Sequence, residues 1–155
     1  MTGQITLLQM GSTRADDKSR NNRPNITKYV EIDFPHLTST KAQRISRSPK
    51  LSAMLAHDPS SADATTSSKP YMISKGGTQL SSEIYSLLPL DLKGSPATTL
   101  SAEVLPLLDP SLPTLFLAEC VLCYLHPEVG EEIISWFGET FANCAGVIYE
   151  MCGLK

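Results

Sequence analysis

Three carboxylates, Asp33, Asp91 and Glu119, each close an apolar, strand-prone stretch. Asp33 ends ITKYVEID, Asp91 follows EIYSLLPL, and Glu119 ends TLFLAE. Ionised carboxylates only accept hydrogen bonds, so such a set suits hydroxyl, amino or cationic groups. In an open α/β sheet, ligands bind outside the carboxyl ends of the strands. Three carboxylates at three such ends form one rim. Glu119 is the hardest to treat as incidental: its run is apolar enough for a fully buried strand, where an unpaired charge is costly or shifts its pKa. Asp33, before Phe34-Pro35, could equally cap the next turn, and Asp91 alone reads as a turn residue. Gly11 follows the first apolar stretch, where a backbone can approach a ligand closely. This arrangement suits an adenine nucleoside. A carboxylate after the second strand can accept both ribose hydroxyls, one after the third the adenine amino group, and one after the fourth an ammonium or cationic centre.

The elements that must position these residues follow from pattern. Strands are expected over residues 4–10, 26–34, 71–74, 83–92, 114–120 and 145–151, which are rich in β-branched and aromatic residues. Pro89 marks an irregularity in the fourth of these. Val129, Ile133, Phe137 and Phe141 recur every four residues, one face of a helix. Tyr124 reads as core and His126 as a helix-start residue. Residues 37–47 read as an exposed basic helix capped by Thr38 or Ser39. Shorter helices are expected over 50–56 and 100–108. Residues 14–25 read as loop, and the polar, low-complexity 58–69 as a flexible loop. The alternation argues for a mostly parallel sheet with helices on both faces.

The 155 residues suffice for one domain with a real core. No apolar run approaches the roughly 20 residues of a membrane span. The N-terminus lacks a basic n-region, and Thr2 excludes N-myristoylation, so a cytoplasmic address is expected. The net charge of −3 hides an asymmetry. Residues 1–50 hold 9 Lys/Arg against 4 Asp/Glu, a local +5, and residues 51–155 hold 4 against 12, a local −8. The basic charges are scattered and lack an aromatic platform, so they read as a solvated face rather than a nucleic-acid surface. Cys120 and Cys123 have metal-ligand spacing, but Cys144 and Cys152 are too far apart to complete a zinc ribbon. The thiols read as buried and structural, and no metal is expected.

The motifs carry a resemblance. Lys28-Tyr29-Val30-Glu31-Ile32-Asp33-Phe34-Pro35 is similar to the second-strand motif of the leucine carboxyl methyltransferase family. Leu117 through Leu125, with Pro127-Glu128 after it, resembles that family's fourth-strand motif. Leu90-Asp91-Leu92 resembles its adenine-contacting pair, and Val147-Ile148-Tyr149-Glu150 its fifth strand. The resemblance implies a class I methyltransferase fold, Rossmann-like but incomplete, with S-adenosyl-L-methionine as cofactor. It implies methylation of the C-terminal leucine carboxylate of the protein phosphatase 2A catalytic subunit. Apart from the resemblance, a monomer is expected, with no membrane partner and with nucleic acid disfavoured. By the same resemblance Asp33 would bind ribose, Asp91 and Leu92 adenine, and Glu119 the methionyl part, with Gly11 at the glycine-loop position. No catalytic acid or base is assigned.

Gln9 stands where the family places a glycine, and its side chain would crowd the cofactor. The family's N-terminal arginine segment and its lid beyond the fifth strand have no counterpart here. Residues 1–155 are therefore expected to be a partial methyltransferase domain that binds cofactor weakly or not at all. Two other readings stand beside this one: a methyltransferase of the sister branch that acts in tRNA wybutosine modification, and a non-catalytic truncated fragment.

Overall fold

The computed structural model describes residues 3–11, 25–55 and 69–150. The expected loops over 14–25 and 58–69 lie outside the described residues except for Asn25 and Lys69, and Cys152 lies outside them too. Among the described residues, the strands are β1 (Gln4–Met10), β2 (Ile26–Asp33), β3 (Tyr71–Ser74), β4 (Gln79–Ser82), β5 (Tyr85–Pro89), β6 (Thr114–Glu119) and β7 (Cys144–Tyr149). The helices are α1 (Pro35–Arg47), α2 (Pro49–Ala53), α3 (Pro96–Glu103) and α4 (Pro127–Thr140). The chain divides into two compact units, Met1–Tyr29 with Leu92–Lys155, and Val30–Asp91.

In the first unit, β6, α4 and β7 form a strand–helix–strand crossover, and β7 pairs parallel to β6 with Leu117 opposite Val147. Pro127 opens α4 where its missing N–H costs nothing. Ile133, Trp136 and Phe137 form the buried stripe, and Phe141 follows at the C-cap. Phe116 of β6 lies 5.1 Å from Phe137, ring centre to ring centre, and Phe137 lies 5.3 Å from Phe141. Trp136 meets Phe141 edge-on, and its indole N–H donates to Ser101 Oγ at 2.8 Å, tying α4 to α3. These contacts add geometric specificity to the burial of large aromatic surfaces. α3 begins four residues earlier than expected, and Pro106 falls in a separate 3-10 turn, Leu105–Leu107.

β1 runs antiparallel to β6, with Gln4 opposite Glu119 and Gln9 opposite Thr114. Its exit meets the entry of β2: Gly11 N donates to Asn25 O at 2.8 Å.

In the second unit, β3, β4 and β5 form an antiparallel meander. The core joins Ala42 and Ile45 of α1 to Leu55, Tyr71, Leu80 and Leu87. The β3–β4 turn uses Gly76 and Gly77 at φ 66° and 92°, where glycine has no steric penalty. β4 (QLSS) was not expected, since it is short and carries one large apolar side chain. α1 starts at Pro35, with no side-chain cap. Thr38, an expected cap, is buried inside the helix, and its hydroxyl donates to Pro35 O at 3.1 Å.

The α/β class stands. The mostly parallel expectation is met only in part: β6–β7 is parallel, while β1–β6, β3–β4 and β4–β5 are antiparallel. No described helix is long and apolar enough to cross a membrane.

Candidate functional site

In the second unit, Asp33 and Asp91 leave neighbouring strand ends. Leu90 N donates to Asp33 O at 3.2 Å, so the exits of β5 and β2 lie side by side. One Asp33 carboxylate oxygen accepts from Phe34 N at 2.7 Å. Partial burial raises the Asp33 pKa, and Glu31 adds to the rise, while the Phe34 amide, His36 and Lys41 oppose it. Asp91 is exposed. Leu92, which begins the next stretch of the first unit, is buried, so it offers backbone rather than side chain to a ligand. A half-buried carboxylate with a second, exposed one nearby in the chain fold is an acceptor set that fits ribose hydroxyls and an exocyclic amine.

Two residues before Asp33 lies Glu31, only 2% exposed. Lys41 of α1 forms an ion pair with one of its oxygens, and Tyr85 OH of β5 donates to the other at 3.0 Å. A buried carboxylate with both oxygens engaged is a satisfied network rather than a stranded charge. It joins β2, α1 and β5, the elements that set Asp33 and Asp91. The residue was visible in the sequence as a charge between Val30 and Ile32, but its partners are distant in the chain.

In the first unit, Glu119 is exposed. This corrects the burial argument made for it. β6 alternates, with Thr114, Phe116 and Ala118 buried and Leu115 and Leu117 half-buried, and its last side chain opens to solvent. The parallel ladder sets Glu119 opposite Tyr149, one residue before Glu150.

Gly11 lies elsewhere. Because β1 is reversed, Gly11 belongs to the end of the β1–β6 ladder at Thr114, while Glu119 ends the ladder at Gln4. The two do not share a rim. The close approach at Gly11 is to Thr27 and Asn25, whose side chains would lie 2.7 and 3.0 Å from an added Cβ.

Gln9 does not crowd the Glu119 end either. It is 2% exposed. Its Nε2 donates to Asp109 O at 2.7 Å and Thr114 Oγ1 at 3.0 Å, and its Oε1 accepts from Asp109 N at 2.9 Å. The side chain latches the loop before β6.

The thiols also differ from expectation. Cys123 and Cys144 are exposed and Cys120 is half-buried, and none of the three forms a disulfide. The Glu150 carboxylate beside Cys123 pushes its thiol pKa up to about 11. Tyr124 is 54% exposed rather than core. Among the described residues, no group of three or more His, Cys, Asp or Glu is placed to hold a metal ion.

Comparison with known proteins gives the family. The family model for leucine carboxyl methyltransferase matches residues 18–138. A protein of Cryptococcus neoformans var. neoformans serotype D, named leucine carboxyl methyltransferase 1, is 58% identical over 143 residues, covering 88% of this chain and 40% of its own length. An Arabidopsis thaliana homolog of leucine carboxyl methyltransferase 1 is 38% identical over 131 residues, 83% of this chain and 34% of that one. Human tRNA wybutosine-synthesizing protein 4 is 33% identical over 122 residues, 77% of this chain and 16% of that one. The chain thus spans well under half the length of these relatives.

Proposed function

Since the chain belongs to the leucine carboxyl methyltransferase family, we propose that it carries cofactor-binding elements of an S-adenosylmethionine-dependent methyltransferase acting on the C-terminal leucine carboxylate of the protein phosphatase 2A catalytic subunit. The observation that carries this reading is the juxtaposed exit of β2 and β5, which brings the backbone of Asp33 to that of Leu90, next to Asp91. In the proposal Asp33 takes the ribose hydroxyls, Asp91 and the Leu92 backbone the adenine, and Glu119 the methionyl ammonium. Gly11 is left out of this proposal: it stands at the opposite end of the β1–β6 ladder from Glu119.

The cofactor supplies an electrophilic methyl group. The acceptor, an α-carboxylate with a reference pKa of about 3.5, is already ionised at neutral pH, so no residue is required as a base. The chain's contribution is binding, alignment and removal of water from two opposite charges. Exposed carboxylates suit the cationic end of the cofactor, and the half-buried Asp33 suits its neutral hydroxyls.

The experiment is transfer of labelled methyl from S-adenosylmethionine to phosphatase catalytic subunit with and without its terminal leucine, with tRNA as a parallel acceptor. Labelling that needs the terminal leucine is expected. The wybutosine-synthesizing relative favours tRNA as the second reading, and labelling of tRNA alone would replace the first with it.

A further inference from the structure

The turn that follows Glu119 is strained and held from three sides. Cys120 has φ 49°, a left-handed conformation that costs a non-glycine residue roughly 1–2 kcal/mol. Such strain persists only where the surroundings over-determine it. Cys120 N donates to Tyr149 O at 2.8 Å, closing the β6–β7 ladder. Gly3 abuts the turn so closely that an added Cβ would lie 2.0 Å from Cys120 O. The third constraint is Glu150, at the end of β7. One of its carboxylate oxygens accepts from Leu122 N at 2.9 Å and the other from Cys123 N at 3.3 Å. The Cys123 thiol also hydrogen-bonds this carboxylate.

We infer that Glu150 is a positioning residue for Glu119, holding the Cys120–Cys123 turn that fixes where the Glu119 carboxylate stands. The inference rests on the reading of Glu119 as the contact for the methionyl end. The geometry argues it as follows. Glu119 is the last residue of β6, and its side chain projects into solvent, so its direction depends on the backbone at Glu119 and Cys120. Tyr149 O holds the start of the turn, and the carboxylate of Glu150, the residue just after β7, holds its far side. Removing that carboxylate frees two amides and lets Cys120 relax toward ordinary φ. The last residue of the β6 ladder then loses its fixed orientation. In the proposed reading Asp33 and Asp91 serve the nucleoside and Glu119 the methionyl end, so the loss is expected at the methionyl end.

The test uses the full chain and two probes, S-adenosylhomocysteine and adenosine, titrated by NMR, which reads millimolar affinities. Glu150→Gln should weaken S-adenosylhomocysteine about tenfold and leave adenosine within about twofold. Glu119→Gln should show the same selective loss, and the double variant should lose no more than Glu119→Gln alone. Hydrogen exchange at the Leu122 and Cys123 amides should accelerate about tenfold in Glu150→Gln. If that variant does not fold, Glu150→Asp, too short to reach both amides, carries the same expectation. Equal losses for the two probes, additive losses, or unchanged S-adenosylhomocysteine affinity would overturn the inference while leaving the cofactor reading intact. Failure of the unmodified chain to bind either probe would remove the cofactor reading and the inference with it.

Discussion

Glu119 stands directly opposite Gln4 in the antiparallel β1–β6 ladder, so the exit of β6 meets the entry of β1. That register places the glycine after β1 at the other end of the sheet from Glu119. It also turns Gln9 from an obstruction into a structural latch.

Gln9→Gly should therefore destabilise the protein. It removes the Gln9 acceptor from the Asp109 amide, and it takes one partner from the Asp109 carbonyl and one from the Thr114 hydroxyl, which keep Leu112 N and Leu112 O respectively. Losing such part-buried hydrogen bonds costs about 1–3 kcal/mol. Urea unfolding should show the loss, with no gain in cofactor affinity. Gained affinity would return Gln9 to its role as an obstruction.

Lys41→Met should cost about 2 kcal/mol, discounted because the Lys41 side chain is 45% exposed, by leaving the Glu31 carboxylate with Tyr85 as its remaining partner. Glu31→Leu combined with Lys41→Met should recover most of it, since a buried ion pair contributes little beyond an apolar replacement. The double-variant cycle, read by thermal unfolding, decides this.

Asp33 should work against stability at neutral pH. Burial raises its pKa above the unfolded value of 3.8. Between the two values the folded state binds more protons than the unfolded state, so stability falls as pH rises through that window and stays lower above it. Asp33→Asn should therefore unfold at a higher temperature than the parent at pH 7, with the advantage disappearing below pH 3.8. A carboxylate that costs stability where it stands is the pattern expected of a binding residue.

Cys123 should alkylate slowly. Its thiol pKa, pushed up to about 11 by Glu150, against an ordinary 9.0, leaves about a hundredfold less thiolate below pH 9. Peptide mapping after iodoacetamide treatment should find Cys144 modified well before Cys123, and Glu150→Gln should remove most of the difference.

The β6–α4–β7 crossover was legible because an apolar stripe at helical spacing lay between two strand-like runs. The direction of β1 was not, because an alternating strand reads the same both ways. Asp33 and Asp91 could be named from their places at strand ends. Glu31 and Glu150 could not be given roles, because what defines them is a partner 10 to 54 residues away. Glu119 was identified for a reason that failed, burial, and keeps its interest for another, the strained turn that follows it.

The most direct test of the central claim is the map of amide shifts on titrating adenosine into the full chain. Perturbations are expected at Phe34, Asp91 and Leu92, lost in Asp33→Ala, with none at Gly11 or Asn25. Shifts centred on Gly11 and insensitive to Asp33→Ala would contradict it.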